Sequence, residues 1–210
     1  MQFEPNNIYH VFNRGNNSQN IFFRRENYLF FLKKNHTHIV PFADILAWCL
    51  MPNHFHLMIY VKSIEIQLEN EMNESKDEFG VTWGSISNST RNLNQSIAIM
   101  LRSYTRAINK QEKRNGSLFQ MKTKASCLTD NSEITPAWFY SNFGTVINIE
   151  DADKSYPQVC FNYTHQNPVT AKLVQKPQDW EFSSFCDYAG LRNGKLINRQ
   201  RAEEFGLKIK

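Results

Sequence analysis

The order of elements along the chain predicts an α+β fold, a ferredoxin-like antiparallel sheet with its helices on one face. Three observations carry this reading. The chain opens on a strand-like alternation, two apolar runs are split by a Pro-Asn turn, and two segments of helical period are interleaved with strand-like sequence.

Ile8 to Asn13 alternates, with Ile8, His10 and Phe12 on one face and Tyr9, Val11 and Asn13 on the other. Arg14-Gly15-Asn16-Asn17 reads as a loop. Arg25 to Lys34 places Tyr28, Leu29, Phe31 and Leu32 at the three-and-four spacing of an amphipathic helix. Ala43 to Leu50 and His54 to Val61 are apolar runs joined by Met51-Pro52-Asn53, a hairpin of buried strands. Leu93 to Lys113 returns to the helical period at Leu93, Ile97, Met100, Leu101, Tyr104 and Ile108, with Gly116 as terminator. Leu118 to Leu128 suits another strand, and Thr129 to Tyr156 a mixed loop with a short helix at Pro136 to Phe143. Ser155 offers an N-cap and Pro157 a first-turn proline for a helix reaching Asn167, which Pro168 should end or kink.

The 210 residues are read as one domain over 1–210, with an acidic insertion at 63–89 and a basic, loosely patterned tail at 172–210. No apolar run approaches the roughly 20 residues of a membrane span, and the N-terminus lacks the pattern of a secretion signal, so no membrane association is expected. Four scattered cysteines without a CxxC pair point to reduced thiols and a cytoplasmic setting.

The net charge of +4 hides a strong polarity. From Ser63 to Gly80 six acids face only Lys76, a net −5, so the remainder carries +9. From Arg102 to Lys124 seven bases face only Glu112, a net +6, with Tyr104 and Phe119 interleaved. That stripe is either an electrostatic footprint for nucleic acid or a solvated helix face.

Chemistry concentrates at His54-Phe55-His56. Residues two apart on a strand point the same way, so His54 and His56 share a face with Met58 and Tyr60, expected to be open, while Phe55, Leu57, Ile59 and Val61 pack against the helices. Two imidazoles so placed can bind one divalent ion. His36-Thr37-His38 has the same spacing but follows a helical segment, where residues two apart diverge by about 200°, so a surface or loop role is expected there. Tyr163 and Asn167 are four apart on the last predicted helix and share a face. The Asn167 carbonyl can complete the shell of Mg²⁺ or Mn²⁺ beside the Tyr163 hydroxyl. A core or capping role for Tyr163 stays open on these grounds.

Three blocks resemble the single-tyrosine HUH transposases, in particular the REP-associated and related insertion-sequence transposases. These are Ile8-Tyr9-His10-Val11-Phe12-Asn13-Arg14-Gly15, then Trp48 to Leu57 ending in His54-Phe55-His56, then Tyr163 to Val169 followed by Asp179 to Phe185. Leu118-Phe119-Gln120 with Lys122 and Lys124 is a fainter match, and the acidic insertion and the stretch from Leu128 to Tyr156 depart from the pattern. The resemblance implies His54, His56 and Asn167 as ligands of Mg or Mn, and Tyr163 as the nucleophile that forms a 5′-phosphotyrosine link. It also implies single-stranded or hairpin DNA as partner, held by Arg14, Arg102, Arg106, Lys110, Arg114, Lys122 and Lys124. No nucleotide cofactor is expected, because the covalent intermediate conserves the bond energy. Whether Tyr163 serves its own chain or a second copy in a homodimer stays open. So do a non-catalytic hairpin binder, a replication initiator and a metallohydrolase.

Overall fold

The computed structural model describes residues 1–68, 89–129 and 156–209, with the backbone of four two-residue strands at 75–76, 82–83, 139–140 and 146–147. The sheet at its centre is built from β1 (Ile8–Arg14), β2 (Ala43–Met51), β3 (His54–Val61) and β8 (Lys124–Cys127), in the order β2-β3-β1-β8. All its pairings are antiparallel, so the α+β arrangement expected from the element order is present. Pairing of β3 with β1 runs from Ile8 opposite Tyr60 to Arg14 opposite His54, and its pairing with β2 ends on Met51 opposite His54. β3 is therefore an interior strand.

One face of β3 carries Phe55, Leu57, Ile59 and Val61 into the main core, against α1 (Arg25–His38) and α2 (Leu93–Gln111). The rings of Phe31 and Phe55 lie 5.0 Å apart, Phe31 and Tyr104 5.0 Å, and Tyr104 and Phe119 5.9 Å. Fully burying such side chains contributes roughly 1.5–3 kcal/mol each. α2 starts on a capping box, in which the Gln95 N–H donates to Asn92 Oδ1 at 2.8 Å and the Asn92 N–H to Gln95 Oε1 at 2.9 Å. It ends at Gln111, sooner than expected, with Lys113 already in the left-handed region at φ 50° ahead of Gly116.

The helices do not keep to one face. α3 (Tyr156–Thr170) covers the other side of β2 and β3, where Cys160 and Phe161 pack on Ile8, Leu46, Ala47 and Met58. An apolar face on α3 needs burial as much as those on α1 and α2 do, and this side of the sheet is the one they leave uncovered. Pro168 lies inside α3, which continues to Thr170, because a proline one turn from the end forfeits a single ladder hydrogen bond. The expected Ser155 cap falls outside the described residues.

Other elements differ from expectation in extent. α1 runs on to His38, so His36 and His38 are both helical and diverge as their spacing predicts: His36 is exposed, but His38 is buried, contrary to the surface or loop role expected of the pair. Only Lys124–Cys127 of the expected strand over 118–128 joins the sheet. The insertion is closed at its base by β4 (Glu65–Leu68) pairing with β7 (Ser89–Asn92), and within it β5 (Ser75–Lys76) pairs with β6 (Thr82–Trp83). β9 (Phe139–Tyr140) pairs with β10 (Val146–Ile147), so those residues form a ribbon where a short helix was expected.

The tail is ordered along β2: the Leu50 N–H donates to the Phe182 carbonyl at 2.8 Å and the Ser184 N–H to the Trp48 carbonyl at 2.9 Å. Beyond it lie α4 (Phe185–Tyr188) and α5 (Arg199–Glu204). Among the described residues, no helix is long and apolar enough to cross a membrane.

Candidate active site

The second face of β3 and its neighbours gathers His54, His56, His10, Phe12 and Arg14 beneath α3. Strand period and antiparallel register together dictate this: Arg14 lies opposite His54, Phe12 opposite His56, and His10 is diagonal to His56. Gly15 follows Arg14 because the Gln19 carbonyl oxygen would stand 2.0 Å from any Cβ there, so the turn closes directly on the strand end.

The expected open face is not open, since α3 lies over it and leaves His54 6% and His56 4% exposed. Burial, reinforced by Arg14 and relieved by a hydrogen bond with Asn167, lowers His54 to a pKa of about 4. His56 falls well below its usual value through burial, with His10 and His54 adding to the effect. Burial also lowers His10 to about 4. All three imidazoles are therefore neutral at pH 7, with a lone pair to offer a metal or a proton.

Hydrogen bonds orient the rings. The Asn53 amide donates through Nδ2 to the Ser18 carbonyl at 3.3 Å, which turns its Oδ1 toward His54 Nδ1 at 2.7 Å. An amide oxygen only accepts, so His54 carries its proton on Nδ1 and presents Nε2 as a base. His56 Nδ1 lies 2.8 Å from His10 Nε2, and the two rings stack with centroids 5.0 Å apart. His56 Nε2 is buried with no hydrogen-bond partner among the described residues.

Over these rings stands Tyr163. Its ring is edge-on to His56 at 5.5 Å and to His10 at 6.1 Å, and it is half-buried. One turn on, Asn167 donates from Nδ2 to the Tyr163 carbonyl at 3.0 Å and also bonds His54. α3 is fixed in this position by His165, whose Nε2 lies 2.8 Å from Ser184 Oγ, which accepts the Trp48 N–H at 2.9 Å. The C-terminal block thus ties the helix bearing Tyr163 to β2. Tyr104, the tyrosine of the basic stripe, lies in the opposite core with its hydroxyl donating to the Ile21 carbonyl at 2.8 Å, and burial raises its pKa.

The site residues fit a divalent ion in their donor chemistry: a partnerless buried imidazole nitrogen, a second imidazole with its proton turned away, and an amide beside it. Among the described residues there is no cluster of three or more His, Cys, Asp and Glu that could hold a metal ion.

The basic residues divide. Arg14 is in the site, and Lys124, opposite Phe12 on β8, holds its Nζ 5.8 Å from the Phe12 ring centroid. Lys122 is exposed just before β8, and the Arg114 guanidinium donates to Gln19 Oε1 at 2.6 Å. Arg102, Arg106 and Lys110 are exposed on α2, in the layer on the opposite side of the sheet. Sequence reasoning missed His10 and Asn53 as members of the site. The alternation of β1 marks the face of His10, but its meeting with His56 depends on the register of β1 against β3.

The architecture defines an α+β domain in which a histidine-bearing sheet face is covered by a tyrosine-bearing helix. In fold it resembles a solved REP-associated tyrosine transposase bound to a REP hairpin, with a TM-score of 0.52 and 12% identity over 95% of this chain and 87% of that one. No family model matches the chain, and no curated protein matches it in sequence.

Proposed function

We propose that the protein is a metal-dependent transposase of the single-tyrosine HUH kind, cutting and rejoining single-stranded DNA beside hairpins through Tyr163. The observation that carries this reading is the convergence of Tyr163 and Asn167 from α3 on His54 and His56 from β3, against the alternative of a tyrosine buried in a core. The fold shared with a hairpin-bound transposase supports DNA as the partner.

His54, His56 and Asn167 would hold Mg²⁺ or Mn²⁺. When bound, the ion supplies Lewis acidity toward a phosphate oxygen. Tyr163 attacks the scissile phosphorus, a phosphorus–oxygen bond to its phenol oxygen forms, and the bond to the 3′ oxygen breaks. The products are a 5′-phosphotyrosine and a free 3′-hydroxyl: the phenol gives up its proton to water, and the leaving 3′ oxygen takes one from water, so the step balances. Rejoining reverses these steps with another 3′ end and consumes no ATP. Arg14 and Lys124 flank the site as phosphate contacts, and Phe12 between them offers a face for a base.

The test incubates the chain with Mn²⁺ and single-stranded hairpin DNA from the sequence flanking its own gene. The expected result is a protein–DNA adduct that survives denaturation and maps by peptide sequencing to Tyr163. Cleavage without an adduct would show activated water as the nucleophile, and hairpin binding without cleavage would show a non-catalytic binder; either result overturns the proposal.

A further inference from the structure

The geometry points to His10 as a positioning residue that fixes the tautomer of His56, so that His56 meets a metal ion through Nε2. This rests on the proposed metal site but concerns a residue outside its ligand set.

The 2.8 Å contact between His10 Nε2 and His56 Nδ1 holds one proton, so one ring donates and the other accepts. If His10 donated, the proton of His56 would sit on Nε2, a buried atom with no partner among the described residues. Protonated, that nitrogen would have no acceptor to donate to and no lone pair to offer a ligand. If His56 donates, Nε2 becomes a lone pair aimed into the site, and the proton of His10 moves to Nδ1, which is not such a buried, partnerless atom. The second arrangement also matches His54, whose Nδ1 is bonded to Asn53 Oδ1 at 2.7 Å. Both histidines of β3 are then turned alike, each tied through Nδ1 to a neighbouring side chain.

His10 is held in place for this task. It stacks on Phe12 at 4.8 Å and on His56 at 5.0 Å, at interplanar angles of 27° and 18°. Partners of metal-bound imidazoles set both the ring orientation and the basicity of the ligating nitrogen, and their loss typically costs about 10–100-fold in metal affinity.

The experiment uses the full chain, metal-free and labelled with ¹⁵N-histidine. Long-range ¹H–¹⁵N spectra should show His56 protonated at Nδ1 and unprotonated at Nε2. In His10→Phe the ring is kept and the acceptor lost, so the Nδ1–H tautomer of His56 should give way, and Mn²⁺ affinity measured by calorimetry should fall about 10–100-fold. His10→Gln, which offers an amide oxygen near the place of Nε2, should recover affinity to within a few-fold. An Nε2-protonated His56 in the unsubstituted chain overturns the inference, as does unchanged Mn²⁺ affinity in a folded His10→Phe. The tautomer is read without metal or DNA and needs no variant, so a failure of the adduct assay would leave this result standing by itself.

Discussion

The two faces of β3 are made from alternate residues of eight, yet they differ in nearly every physical respect. One face, Phe55, Leu57, Ile59 and Val61, is dry and aromatic-lined under α1 and α2. The other carries His54 and His56, equally buried but linked to Asn53, His10 and Asn167 by hydrogen bonds. Burial alone therefore does not mark a core. Polar groups removed from water and still left with a partnerless nitrogen impose a cost that an apolar replacement would avoid.

Substitutions on the two faces should therefore separate activity from stability. The largest effect is expected for His56→Ala, which removes a proposed ligand: metal-dependent cleavage should fall about a thousand-fold, a loss of about 4 kcal/mol, with binding of hairpin DNA retained. Quantified adduct formation checks it. On the dry face Phe55→Ala should destabilise the fold by about 3–5 kcal/mol, read as a lower urea midpoint. Tyr104→Phe leaves the Ile21 carbonyl without its partner and should cost about 1–2 kcal/mol in the same measurement, while leaving adduct formation intact below the transition.

The smallest expected change is electrostatic. Lys124→Ala should weaken single-stranded DNA binding and reduce the slope of log K against log salt by about one. Replacing Arg102, Arg106 and Lys110 together should leave that slope unchanged if DNA is confined to the histidine face. A matching fall would instead extend the DNA path around the sheet edge to the α2 layer.

Much of this arrangement is legible in the sequence because the relevant periods are local. Alternation along His54 to Val61 separates histidines from core, and the four-residue step from Tyr163 to Asn167 puts both on one side of a helix. What escapes is anything that depends on how elements meet. The placement of α3 over the histidine face follows from tertiary packing that no period encodes. The partnership of His10 with His56 follows from the β1–β3 register. The stripe at Arg102, Arg106 and Lys110 reads as continuous with Lys122 and Lys124, yet α2 holds the first three in one layer while Lys124 lies on β8 in the sheet. The attachment of Phe182 to Ser184 along β2 is too short to leave a strand signature.

The most direct test of the account is a paired reaction of the unsubstituted chain and Tyr163→Phe with single-stranded hairpin DNA and Mn²⁺, resolved under denaturing conditions with and without a chelator. The account predicts a metal-dependent covalent adduct for the unsubstituted chain and none for Tyr163→Phe, with equal hairpin binding by both. An adduct that persists in Tyr163→Phe would contradict it.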